Sequence, residues 1–284
     1  MIFMFIVRSN CPEIIEQYHK QMSHSRCNLQ PIGRLGNHLF QVAALLREKI
    51  VRHKQIHIFV DQNQHYYDGF LYKLKQFITD VPTSNNGGGA FRYTPIHTTT
   101  TVLNGYFQSS RYFSDISNEV RDWFDPHPSI KSTVSLKYAT LLTDEIRKTH
   151  VIVHVRRGDY VIPSKIRFHG ILTPLYYCAA MARMREMCGS DVRFLLFSDD
   201  IEYCRTTFTD SDIICLDEPD EMVTLHLMSQ FNHYILSNSS FSWWAVYLGE
   251  PSQIVIAPDR WFGPAGPQDI QDIYEPGWIR MRAE

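Results

Sequence analysis

Short β-branched and apolar runs alternate with longer amphipathic stretches through the second half of the chain. Val151–Arg156 has the composition of a buried strand, and Thr173-Pro174 then opens a helix to about Cys188, with proline at the first helical position, where its missing N–H is not needed. Further strands are expected at Arg193–Phe197, Ile213–Leu216, Tyr234–Leu236 and Gln253–Ala257. Helices are expected between them at Ile201–Phe208, Glu221–Phe231 and Phe241–Leu248. This alternation predicts a parallel sheet covered by helices on both faces, the Rossmann-like arrangement.

The first half is less regular. Apolar residues from Leu39 to Ile50 recur at helical spacing across Asn37–His53, and Ile56–Val60 follows as a strand. Pro82–Thr101, with three consecutive glycines and four consecutive threonines, reads as a loop before a strand near Val102–Phe107. Helical patterning resumes at Ser114–Phe124 and Ser129–Lys148. The expected organisation is an N-terminal extension over 1–28, one α/β half over 29–149 and a Rossmann-like half over 150–284, the two halves facing each other across a cleft.

Composition excludes more than it identifies. The chain has 284 residues, 44% of them hydrophobic, enough for a sizeable core. A formal charge of -2 gives no basic field for nucleic acid, so any phosphate must be bound by a local site. The six cysteines are scattered without zinc spacing; they read as buried thiols, with a Cys11–Cys27 bridge open in an oxidising compartment. The apolar run Met1–Val7 is far short of the about 20 residues that a spanning helix needs, so no membrane anchor is expected in this chain.

Candidate chemistry sits where strands end. Along the first strand of the second half, alternation places His154 and Arg156 on one side and Arg157 on the other. Arg156 is then directed to a ligand, and its guanidinium fork suits a diphosphate. Arg157 is expected to pair structurally with Asp159 across the Gly158 turn. Asp199 and Asp200 end the next strand, one for a base or ribose contact and the other for helix capping. Two adjacent carboxylates alone are too few for a convincing metal site. Ser239, Ser240 and Phe241 open an apolar helix whose N–H groups suit an anion, while Trp243 and Trp244 belong to the core. Asn238-Ser239-Ser240 also matches an N-glycosylation pattern, disfavoured in a buried loop. Gly33 and Gly36 flank a turn into the Asn37 helix, and close backbone approach to a ligand is the expected reason for them. Asp61 is a weak candidate for a general base.

In this order, Gly33–Gln41, Asn104–Ser109, His154–Asp159, Phe197–Asp200 and Ser237–Trp244 resemble the motifs of the α-1,2-fucosyltransferases. The resemblance implies a two-domain GT-B-type fold, GDP-fucose as donor, a galactose-terminated glycan as acceptor, inversion at the sugar carbon, and no metal or other cofactor. The 150–284 half, which carries the strand ends, is expected to hold GDP-fucose and the 29–149 half to face the acceptor. It further implies that Arg156 contacts the β-phosphate, that His154 lies near the nucleoside, and that Asn37 faces fucose and phosphates. Departures fall at His38, Val42 and Tyr203, where Gln, Tyr and Trp are frequent. Animal members are Golgi enzymes with a membrane anchor and bacterial ones are cytoplasmic; both locations stay open. Protein O-fucosylation and a non-catalytic GDP-sugar-binding role are the alternatives.

Overall fold

The computed structural model describes residues 25–85, 91–250 and 254–283. Met1–Val7, Cys11, the Gly87–Gly89 run and Gln253 lie outside the described residues. Two parallel sheets organise the chain. The smaller has the order β2-β1-β3, built from β1 (Arg26–Leu29), β2 (Gln55–Ile58) and β3 (Val102–Leu103). Its central strand went unforeseen, and Arg26, Cys27 and Asn28 fall inside the stretch read as an extension. Cys27 and Leu29 are fully buried, which fixes β1 despite its polar neighbours.

Helix α1 (Leu35–Arg52) connects β1 to β2. Its apolar stripe is buried as the pattern predicts, but so is Glu48, whose charge is matched by Arg52 and by Lys54, each at 2.7 Å. Burial and the neighbouring Glu48 carboxylate push the Cys27 thiol up to about 12. Beyond β3 the chain departs from expectation in two places. Gly105 and Phe107 take positive φ, so β3 stops at Leu103 rather than Phe107. The helix expected over Ser129–Lys148 is broken into α3 (Pro128–Lys137) and α4 (Asp144–Thr149), because Thr143 caps a new start by accepting from the Ile146 N–H. Ahead of them, α2 is confined to Ser117–Trp123.

The larger sheet has the order β6-β5-β4-β7-β8-β9. It comprises β4 (His150–Val155), β5 (Arg193–Ser198), β6 (Ile213–Cys215), β7 (His233–Ile235), β8 (Ile254–Pro258) and β9 (Ile279–Met281). The covering helices are α5 (Pro163–His169), α6 (Pro174–Cys188), α7 (Ile201–Thr207), α8 (Glu221–Met228) and α9 (Ser240–Leu248). The predicted strands and helices of this half all appear; α5 and β9 were not foreseen. From β4 the chain winds outward to β6, then crosses to β7 and winds the other way. The carboxyl ends of β4 and β7 are therefore the switch point where a parallel sheet opens a crevice.

One hydrophobic core runs between the sheets. Trp243 and Trp244 are fully buried, and Phe40 of α1 lies 4.4 and 5.0 Å from their rings, with Phe113 stacked 5.5 Å from Trp244. Among the described residues no helix is long and apolar enough to cross a membrane.

Candidate active site

A cleft of about 760 Å³ opens at the switch point. Its lining includes Gly33, Gly36, Asn37 and Gln108 from the first part of the chain and His154, Arg156, Asp159, Asp199, Ser239, Ser240 and Phe241 from the second.

Strand alternation places the first of these groups as expected. Val151, Val153 and Val155 pack into the core beneath α6, while His154 and Arg156 face the cleft. His154 Nδ1 lies 2.7 Å from Ser237 Oγ, and burial drives its imidazole down to about 4, so the ring is neutral at physiological pH.

Arg156 does not stand free. One terminal nitrogen donates to Asp199 and the other to Asp159, with the guanidinium 4.9 Å above the Tyr160 ring. Each nitrogen carries two hydrogens, so each keeps one donor after its ion pair. The second oxygen of Asp199 accepts the backbone N–H groups of Arg157 (2.8 Å) and Gly158 (3.1 Å), which makes Asp199 the brace of the whole turn. Lys165 Nζ reaches Asp159 at 3.0 Å. Burial raises the Asp159 carboxyl, but Lys165 and Arg156 outweigh it and hold it below the ordinary range.

The expected Arg157–Asp159 pair is not formed. After Gly158 the chain turns into a short 3₁₀ segment, Gly158–Val161, that carries Asp159 back beneath Arg156. Arg157 points away, bonds Asp200 at 3.0 Å and lies 3.4 Å from the centroid of Tyr203. Asp200 also caps α7, accepting from the Tyr203 N–H at 3.3 Å, so the capping role expected of one of the two aspartates falls to it.

Two helix N-termini meet in the cleft. Ser239 caps α9 through a 3.3 Å bond from the Phe241 N–H, and α1 begins at Leu35 with no side-chain cap. Gly36 permits the meeting: a Cβ there would lie 2.7 Å from the Phe241 nitrogen and the Ser240 carbonyl carbon. The glycine thus serves helix-on-helix contact, a reason that stands beside the expected close approach to a ligand. Gly33 has φ +87, and a Cβ on it would fall 2.3 Å from Asn37 Nδ2. Asn37 Oδ1 accepts from Gln108 Nε2 at 2.7 Å and from Ser240 Oγ at 3.0 Å. Its oxygen is thus engaged, and the nitrogen is the donating end. The two positive dipole ends, Arg156 and the Asn37 amide all favour negative charge at one point.

Other groups escaped the sequence reading. Arg34 lies 4.0 Å from Asp199 and 3.6 Å from Glu221, and Glu221 also accepts from Tyr66 at 2.9 Å. Asp217 and Glu218 line the cleft beyond β6, and Trp261 and Phe262 line it beyond β8. Position after a strand's carboxyl end was the available signal for these. Asp61 is absent from the cleft lining and accepts from Gln30 Nε2 at 3.1 Å. Asn238 donates to the His169 and Trp261 carbonyls at 2.8 and 3.0 Å, so its amide is committed to the fold.

The sequence pattern of glycosyl transferase family 11 matches residues 3–282. The chain belongs to this family. Among curated relatives, it is 37% identical to an Escherichia coli α-1,2-colitosyltransferase, over 56% of this chain and 55% of that protein. It is 23% identical to human galactoside α-(1,2)-fucosyltransferase 1, over 97% of this chain and 79% of that one. The chain thus spans about half the length of the first relative and four-fifths of the second. A solved glycosyl transferase family 9 structure from Veillonella parvula superposes with a TM-score of 0.52 at 11% identity, covering 92% of this chain and 87% of that one. That likeness shows the α/β fold.

Proposed function

We propose that the chain transfers L-fucose from GDP-fucose to the 2-hydroxyl of a terminal galactose, with inversion, within a two-halved GT-B-type architecture. The observation that carries the reading is the convergence of two helix N-termini, Arg156 and Asn37 at the switch point of a parallel sheet, a setting built for a diphosphate. The linkage comes from the relatives, since the names of both carry an α-1,2 transfer.

In this reading the half from residue 150 onward holds GDP and the half from 29 to 149 supplies the facing wall. The diphosphate lies against Ser239, Ser240, Phe241 and Gly36. Arg156 stabilises the departing charge, and Asn37 donates to the fucosyl phosphate. His154 lies beside the ribose, Asp199 and Asp159 hold and aim Arg156, and the Arg157–Asp200 pair supports the fold behind that turn. The bond between fucose C1 and the β-phosphate oxygen breaks with its electron pair passing to GDP. The galactose O2 forms the new bond from the opposite face and its proton leaves to solvent. The transition state has oxocarbenium character, and stabilising the leaving group is the main task of the protein. No resident metal is needed to offset the diphosphate, because fixed positive groups already converge on it.

The E. coli relative favours one competing donor. Colitose lacks the 3-hydroxyl of fucose, so GDP-colitose differs from GDP-fucose at a single position of the sugar. The test is mass detection of products when GDP-fucose or GDP-colitose is offered with galactose-terminated oligosaccharides and, in parallel, with folded protein modules. A fucosylated galactoside supports the reading. Transfer of colitose alone, transfer to the protein modules, or GDP binding without transfer to any acceptor each replaces it with a named alternative.

A further inference from the structure

The wall of the cleft next to Arg156 is an unbroken run of rings drawn from both parts of the chain. Tyr106 stacks on Phe91 with centroids 5.6 Å apart and planes 19° apart, and Phe91 meets Phe262 edge-on at 4.6 Å. Phe262 lies 5.7 Å from Phe168, Phe168 lies 5.1 Å from His169, and His169 stacks on Tyr160 at 4.2 Å and 10°. Tyr160 is the ring beneath the Arg156 guanidinium. All six rings line the cleft. Phe168 is 40% exposed at the rim, an uncommon exposure for phenylalanine that core packing does not explain.

The opposite wall is different in kind. Beyond β5 and β6 it presents the carboxylates Asp217 and Glu221, acceptors suited to the N–H donors of a guanine edge, while the neighbouring Glu218 is held by Lys137 and Tyr138. A nucleotide sugar placed with its diphosphate at the helix N-termini and its base toward those carboxylates leaves the aromatic wall unoccupied. That wall begins at Arg156 and leads outward to the rim.

We infer that this aromatic wall, Phe91 and Phe168 above all, is the acceptor track, and that it binds a neutral oligosaccharide ending in β-galactose. Galactose suits such a wall because its axial O4 leaves C3–H, C4–H and C5–H together on one apolar face. Rings give large contact area at little entropic cost, while the hydroxyls on the sugar's other face remain turned to water or to the donor. The inference rests on the galactoside reading proposed above and adds where the galactose and the sugars behind it lie. The track takes residues on both sides of position 149, so acceptor recognition is not confined to the first half.

The test uses the full chain loaded with GDP, and a β-galactosyl disaccharide as probe. Saturation-transfer NMR should mark H3, H4 and H5 of galactose most strongly. Phe168→Ala, at an exposed position, and Phe91→Leu, which keeps apolar volume but removes the ring, should each raise the disaccharide Kd and the acceptor KM about tenfold. The Kd for GDP, measured by calorimetry, should stay within about twofold, because neither ring touches the diphosphate site. Galactoside transfer at unchanged KM in both variants overturns the track and leaves the proposed reaction standing. Wild-type protein that binds GDP but no galactoside overturns both together.

Discussion

Asn37 and Ser240 are 203 residues apart in sequence, and a 3.0 Å hydrogen bond joins the asparagine oxygen to the serine hydroxyl. That bond ties the first turn of α1 to the first turn of α9 where the two helix N-termini meet in the cleft. It also selects which end of the Asn37 amide faces a ligand.

Replacing Gly36 by alanine attacks this junction directly. The new methyl would stand 2.7 Å from backbone atoms of Ser240 and Phe241, which cannot rotate away as a side chain can. We expect a loss of about 1–3 kcal/mol in stability, typical of overpacking, together with a weaker Kd for GDP. Denaturant titration and calorimetry on the same variant check this; wild-type GDP affinity would show that the junction does not shape the site.

Arg156→Lys should lower kcat by about 10²–10³-fold while the protein stays folded, since a point charge cannot serve two carboxylates and a phosphate at once. Arg157→Lys should behave oppositely. It removes the stacking on Tyr203 and the bond to Asp200, so we expect about 1–2 kcal/mol of lost stability with kcat little changed. Steady-state kinetics and thermal unfolding of the pair would expose an exchange of roles.

Acid should destabilise the fold before carboxylates titrate. Burial lowers both His38 and His154 to about 4, against about 6.5 for an exposed histidine. Between these values the unfolded chain binds protons that the folded chain refuses. Stability is therefore complete above pH about 6.5 and falls toward pH 4, by about 1.4 kcal/mol per pH unit for each histidine. Urea unfolding between pH 7.5 and 5 should show this slope, and His38→Gln should make it shallower. A flat wild-type profile across that range would contradict the burial argument.

Transfer should continue in excess EDTA. Asp159 and Asp199 are both engaged by Arg156, and Asp199 by two backbone N–H groups as well, which leaves neither suited to gather a divalent ion. Activity abolished by chelation and restored by Mn²⁺ or Mg²⁺ would overturn this.

The larger sheet was legible because each strand is a short apolar run followed by an amphipathic helix, and the carboxyl-end rule then put His154, Arg156, Asp199 and Ser240 in one crevice. β1 was not legible. Its four residues, Arg26, Cys27, Asn28 and Leu29, include two polar ones, and only pairing with β2 and β3 on both edges makes them a strand. Arg157 forms a structural ion pair as expected, but its partner was misassigned for a related reason. The turn after Gly158 sends Asp159 back under Arg156, and neighbours across a turn are decided by backbone dihedrals that residue types alone do not specify. Phe91 and Phe262 sit on irregular segments and Phe168 in the last turn of the short, unforeseen helix α5, where no periodicity announces which way a ring faces.

The tryptophan pair of α9 has a consequence for anyone who cuts the chain. Trp243 and Trp244 belong by sequence to the segment that begins at His150, yet their rings contact Phe40, and Trp244 also contacts Phe124, both in the segment before it. Expressed alone, the C-terminal segment would present two indoles to water and be prone to aggregate. The intact protein should melt in a single calorimetric transition, because neither piece retains a complete interior once the other has come away.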